Sequence, residues 1–181
     1  MNIREFICRI EQQHKEQNSL YHAVAEKYGL SDTAMWVLYL VSEEGGDFTQ
    51  QDLCRQSCYA KQTINTAVNI LVKNDLVELI PIPGTRNRKR IHLTEAGREL
   101  ADRTTKKLKA AEENAYGRFT EAELRAYLDI TGRLTAYLRE ETENSLYVST
   151  QRSLPKVYSY PLSVLVKTFA SQDAMNGIEL L

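Results

Sequence analysis

Residues 49–97 read TQQDLCRQSCYAKQTINTAVNILVKNDLVELIPIPGTRNRKRIHLTEAG, and this stretch decides the fold. Thr49-Gln50-Gln51-Asp52 has the [ST]-x-x-[DE] form of a capping box, in which the first hydroxyl and the last carboxylate satisfy each other's backbone N–H. It predicts a short helix from Gln50 to about Arg55. A longer helix follows from about Ala60 to Lys73, with Ile64, Ala67, Val68 and Leu71 at the spacing of one inner face. Asn74-Asp75 ends it. Val77-Glu78-Leu79-Ile80 has the character of a strand. Pro81-Ile82-Pro83-Gly84 is expected to leave regular structure, because proline removes donors and glycine permits a turn. Arg90-Ile91-His92-Leu93 alternates polar and apolar as a second strand. Short helix, turn, longer helix and β-hairpin, in that order, make a winged helix-turn-helix.

The flanks are helical. Ile3, Phe6, Ile7, Ile10, Leu20, Tyr21, Val24 and Tyr28 recur at amphipathic spacing over residues 3–28, and Gly29 suits the end of that helix. Ser31 is placed to cap a helix from Asp32 to Ser42 that is apolar almost all round and therefore predicted to be buried. Gly45-Gly46-Asp47 reads as a turn. Thr94 and Glu95 open a helix predicted to run unbroken to about Tyr116. Thr120 opens another, to about Thr142, carrying Leu124, Tyr127, Leu128, Leu134, Tyr137 and Leu138. From Asn144 on no period is evident. The fold class is mainly α with a small β-hairpin. The expected organisation is an N-terminal dimerisation helix (1–30), a winged helix-turn-helix (31–97), C-terminal dimerisation helices (98–145) and a tail (146–181).

Composition narrows the class. The 181-residue chain is 43% hydrophobic and 26% charged, as in globular domains. No apolar run approaches the roughly 18 residues that cross a bilayer, so no membrane partner is expected. Charges in Met1–Phe6 give no export signal. The three cysteines, Cys8, Cys54 and Cys58, are too few and odd for a disulfide framework and fit a cytoplasmic location. The net charge is −1, but residues 49–93 hold seven Lys/Arg against three acids, a net of +4, leaving 16 against 21, a net of −5, elsewhere. A local basic face, rather than a wholly basic surface, is what a double-stranded DNA partner would require.

The candidate contacts lie on that face. Tyr59, Lys61, Gln62, Thr63, Asn65, Thr66 and Asn69 are expected to point outward from the longer helix, and Gln50 from the shorter one. Gln and Asn can pair with adenine edges, Thr can touch a thymine methyl, and Lys can reach guanine or phosphate. No acid lies between Lys61 and Asn74, whereas a merely solvated helix face usually mixes Glu with Lys. At the hairpin tip Arg86, Arg88, Lys89 and Arg90 crowd four cations into five positions. Such a cluster repels itself unless counter-ions are supplied, as a phosphate backbone supplies them.

Three segments carry a resemblance to the MarR (multiple-antibiotic-resistance regulator) family. Lys61-Gln62-Thr63-Ile64-Asn65 resembles the start of that family's reading helix. Asp75-Leu76-Val77-Glu78 resembles its exit into the wing, with Asp75 where glycine is usual. Arg90-Ile91-His92-Leu93-Thr94-Glu95-Ala96-Gly97 resembles its wing strand and the L-T-x-x-G that follows. The likeness spans residues 3–145. It departs at the wing tip, where Thr85 and Asn87 stand near a usual Asp and Arg. The resemblance implies a homodimer through the first and last helices, a pseudo-palindromic operator, and repression released by a small aromatic effector. Tyr21, His22, Trp36 and Tyr39 are the candidate effector pocket; Trp36 and Tyr39 suit a core equally well.

Other chemistries are weaker. His14 and His22 share a helix face without the partners of a metal site, and Cys54-x₃-Cys58 lacks a second ligand pair, so no metal or other cofactor is expected. No nucleophile–base pair or phosphate loop suggests an enzyme. Two alternatives stay open: redox sensing through Cys8 or Cys58, and a winged-helix protein–protein interaction module that binds no DNA.

Overall fold

The computed structural model describes residues 1–43, 48–57 and 59–146. The turn expected at 45–47, Cys58, and the tail beyond Leu146 lie outside the described residues. The described chain divides into two units, Met1–Asp32 and the residues from Thr33 on.

The first unit is α1 (Ile3–Lys27) with its two ends. Asn2 caps it, its side chain accepting from the Glu5 N–H at 2.9 Å. At the other end Gly29 takes φ +67°, a left-handed conformation that costs glycine little. There the Gly29 N–H reaches the Glu26 carbonyl and the Leu30 N–H the Ala25 carbonyl, both at 3.0 Å, which is a Schellman ending. His22 Nδ1 lies 2.9 Å from Asp32 Oδ1, and that hydrogen bond, followed by the carboxylate's charge, raises the imidazole pKa. Along α1 Ile3, Phe6, Ile7 and Leu20 are exposed, and Ala25 is the helix's buried residue.

The second unit holds the helix-turn-helix. α2 (Asp32–Val41) starts at the boundary between the units and is buried from Ala34 to Val41, as its all-round apolar sequence requires. α3 (Gln50–Gln56) and α4 (Lys61–Lys73) lead into β1 (Val77–Pro81) and β2 (Lys89–Leu93). The strands pair antiparallel, in a register running from Val77 opposite Leu93 to Pro81 opposite Lys89. A third segment joins at Phe48-Thr49: the Ile91 N–H donates to the Phe48 carbonyl at 2.8 Å, and Thr49 bridges to Arg90. Leu38, Leu53, Ile64, Val68, Leu71, Val77 and Ile91 are fully buried. Burial of each such side chain stabilises by about 1.5–3 kcal/mol relative to exposure. α5 (Glu95–Arg103), α6 (Thr105–Tyr116) and α7 (Glu121–Leu146) complete the described chain. Among the described residues no helix is long and apolar enough to cross a membrane.

Three elements differ from the sequence expectation. Pro81 belongs to β1, because it stands last in the strand, where its missing N–H is tolerated; the Ile82 N–H resumes the ladder by donating to the Arg88 carbonyl at 2.9 Å. The helix expected over 95–116 is two, broken at Thr104 with φ −122° and ψ −84°. There the Thr104 and Thr105 hydroxyls bond back to the Leu100 and Ala101 carbonyls at 2.7 and 3.2 Å, a pattern that bends helices. α7 continues to Leu146, one turn beyond the expected Thr142.

Candidate nucleic-acid interface

The local chemistry of the sequence sets both elements of the candidate interface. The capping box forms: the Thr49 N–H donates to Asp52 Oδ2 at 3.0 Å, and the Asp52 N–H donates to Thr49 Oγ1 at 3.3 Å. The Thr49 hydroxyl also donates to Asp52 Oδ2 at 2.6 Å. These bonds hold the Asp52 carboxyl below its usual range, with help from Arg88 and then Arg55. α4 ends in a second Schellman motif. The Asp75 N–H reaches the Val72 carbonyl at 3.0 Å and the Leu76 N–H the Leu71 carbonyl at 2.9 Å. Asp75 takes φ +55°, the left-handed conformation for which glycine is the usual residue.

The wing is tied at its base. The Thr94 hydroxyl donates to the Asp75 carbonyl, its N–H donates to the Leu76 carbonyl at 3.2 Å, and its Oγ1 accepts from the Gly97 N–H at 3.0 Å. Gly97 lies so close that a Cβ there would stand 1.8 Å from the Leu76 oxygen. This contact explains physically why glycine follows Leu93-Thr94 after two positions. At the tip Gly84 takes φ +75°, the Thr85 hydroxyl bonds the Ile82 carbonyl at 2.8 Å, and Arg86, Arg88, Lys89 and Arg90 are all exposed.

On α4 the buried line is Ile64, Ala67, Val68 and Leu71. Opposite it, at successive i+4, i+3 and i+4 spacings, run Gln62, Thr66, Asn69 and Lys73, all exposed. Lys61 and Thr63 are exposed beside that line. Lys73 is absent from the sequence-derived set, although its spacing of eleven from Gln62 places it on the same face.

Three residues expected to point outward are less accessible. Asn65 is half-buried, and its Oδ1 is enclosed with no hydrogen-bond partner among the described residues, because its position on the wheel falls between the outer line and the core. Tyr59 is half-buried, its ring meeting Trp36 edge-on at 5.8 Å between centroids and 64° between planes. Gln50 is half-buried in the first turn of α3.

The four candidate effector residues fall in both units. In the first, Tyr21 is half-buried and His22 is exposed and paired with Asp32. In the second, Trp36 and Tyr39 are buried. The Tyr39 hydroxyl donates to Glu112 Oε2 at 2.6 Å. Lys109 Nζ lies 4.5 Å above the Tyr39 ring and donates to the Tyr39 carbonyl at 3.0 Å. Burial lowers the Lys109 pKa, and Glu43 acts against that shift. Among the described residues no group of three or more His, Cys, Asp and Glu could hold a metal ion. Cys8 is exposed and Cys54 half-buried. Burial raises the Cys54 thiol, with Lys61 opposing, a direction contrary to an activated thiolate.

A family model described as the MarR family matches residues 28–86. Among solved structures, MepR of Staphylococcus aureus in complex with DNA gives a TM-score of 0.59 at 17% identity, over 76% of this chain and 99% of that one. A MarR-family protein of Listeria monocytogenes complexed with a 26-mer DNA gives 0.59 at 20%, over 87% and 99%. NadR in complex with 4-hydroxyphenylacetate gives 0.55 at 16%, over 74% and 92%. At such low identity, the structural likeness shows a shared fold. No curated protein sequence matches this chain.

Proposed function

Residues 28–86 match the MarR family model, and from that premise we propose that this protein is a homodimeric, sequence-specific DNA-binding transcription regulator. One observation carries the reading: an acid-free line of Gln62, Thr66, Asn69 and Lys73 stands exposed on α4, and an exposed wing bears four cations. A helix of that size fits a major groove about 12 Å wide, and a cationic wing fits phosphate or a narrow minor groove. Two structures of the same fold were solved with DNA bound.

The homodimer rests on apolar surface. α7 exposes Tyr127, Leu128, Ile130, Leu134, Tyr137 and Leu138, and α1 exposes its own apolar residues; an isologous contact would remove both stripes from water. Light scattering at micromolar concentration should give twice the 20.7 kDa chain mass. A tight-binding monomer would overturn this part of the reading. A dimer implies an operator with two related half-sites about one helical turn apart.

The finer reading is a repressor released by a small aromatic effector. Its support is the NadR complex with 4-hydroxyphenylacetate, together with Tyr21 and His22 on α1. Trp36 is the chain's single tryptophan, so titration of phenolic acids against its fluorescence tests that reading directly. The regulator reading itself is tested by selecting bound fragments from a random duplex pool. An enriched half-site motif supports it, and failure to retain any duplex at low salt would leave the interaction-module alternative in its place.

A further inference from the structure

Asp52 is the only acid between Thr49 and Asn74. It therefore stands alone among the groups that face DNA in the proposed reading, where a carboxylate repels phosphate. Its surroundings give it a task. Oδ2 accepts both the N–H and the hydroxyl of Thr49, fixing Thr49 in an extended conformation at φ −97° and ψ 163°. Thr49, only 6% exposed, is also the residue whose backbone bridges to Arg90 of the wing strand, next to the bond from the Ile91 N–H to the Phe48 carbonyl. One side chain thus holds the residue that starts α3 and touches β2. Its other oxygen, Oδ1, stands 3.8 Å from Arg55 Nη1.

We propose that Asp52 is a positioning residue, which locks the wing to the start of the helix-turn-helix through Thr49, so that wing and α4 meet DNA as one rigid unit. The inference rests on the DNA-binding reading for its purpose, but its mechanical half can be measured without DNA. A simple helix cap would act on α3 alone. A clip acts on the wing.

The test uses Asp52→Asn, which keeps a side-chain acceptor for the Thr49 N–H and removes the charge. In the free full-length protein the Ile91 amide should exchange with solvent several-fold faster, while the amides of Val68 and Leu71 in α4 stay as in wild type. Thr49→Val, which keeps the backbone bridge to Arg90 and removes the hydroxyl that Asp52 holds, should move the same Ile91 amide in the same direction; it serves if Asp52→Asn does not fold. On random duplex, Asp52→Asn should flatten the slope of log K against log salt by up to about 0.9 per protomer, the value of one phosphate contact. Adding it to Thr49→Val should flatten the slope no further. Unchanged Ile91 exchange, tighter binding by Asp52→Asn, or independent losses in the double variant would each overturn the inference. If wild type binds no duplex while Ile91 exchange responds as stated, the regulator reading fails and the clip survives.

Discussion

The Tyr39 hydroxyl donates a 2.6 Å hydrogen bond to the Glu112 carboxylate across 73 residues of sequence, and both side chains are buried. The bond ties α2 to α6, and a second polar contact, between the Ser42 and Thr105 hydroxyls at 2.9 Å, runs between the same helices. A buried carboxylate deprived of a donor bears the desolvation cost itself. Tyr39→Phe should therefore destabilise the protein by about 1.5–3 kcal/mol, the range for a hydrogen bond to a charged group. Urea unfolding followed by circular dichroism measures it; a midpoint equal to wild type would show that the bond contributes nothing net.

Asp75 supplies a prediction of opposite sign. A side chain at φ +55° brings Cβ towards the following carbonyl, which costs about 1–2 kcal/mol for an ordinary residue and less for Asp. Asp75→Gly should raise the melting temperature by a few degrees. The gain is limited because glycine loses more entropy on folding. Asp75→Val, β-branched at the same φ, should lower it clearly. A lower melting temperature for Asp75→Gly would mean that the Asp side chain stabilises the turn by more than its strain costs.

Most of this architecture was legible because its determinants are local. Thr49 and Asp52 are three residues apart, and so are Thr94 and Gly97, so one turn of helix suffices to find them. The break at Thr104 was not legible: the sequence from Glu95 to Tyr116 holds neither proline nor an internal glycine beyond Gly97, and the bend comes from threonine hydroxyls competing for backbone carbonyls. Tertiary contact hid the rest. Nothing near Asn65 announces that its amide oxygen is enclosed, and the partner of Tyr39 lies on a helix far along the chain. Lys73 was missed for a different reason. As the last residue of α4 it reads as a cation complementing the helix terminus, and only the exposed line shared with Gln62 places it on the proposed DNA-binding face.

Gly97 tests whether a motif glycine is needed for space. In an open helix, Gly→Ala is favourable by about 1 kcal/mol. Here the added methyl would meet backbone, the Leu76 carbonyl, at 1.8 Å, and backbone cannot swing aside as a side chain can. Gly97→Ala should destabilise by about 1–3 kcal/mol, as overpacking does, and should disturb the bond between the Thr94 N–H and the Leu76 carbonyl at the wing base. A stabilised Gly97→Ala protein would show that the base of the wing yields freely.

The last prediction separates the work of wing and reading helix. Arg86, Arg88, Lys89 and Arg90 are exposed point charges, suited to phosphate. Suppose three of them touch phosphate in each protomer, six in a dimer. The slope of log K against log salt should then lie near −5, from about −0.9 per contact. Arg88→Ala should weaken binding to operator and random duplex alike and flatten that slope. Gln62→Ala and Asn69→Ala, on the exposed line of α4, should each cost about 1–3 kcal/mol on the operator and leave random-duplex binding nearly intact. Asn65→Ala should cost less than either, because its amide oxygen is enclosed rather than presented; and since that oxygen has no described partner to lose, folding stability should not fall. Thr66 already gives its hydroxyl to the Gln62 carbonyl at 2.9 Å, which leaves its methyl as the group free to meet thymine. Operator and random-duplex titrations at two salt concentrations, run for each variant, decide the matter. Equal losses from Arg88→Ala and Gln62→Ala on both duplexes would refute the division. An Asn65→Ala loss confined to the operator and as large as that of Gln62→Ala would mean that α4 turns its Asn65 shoulder, rather than the Gln62 line, into the groove.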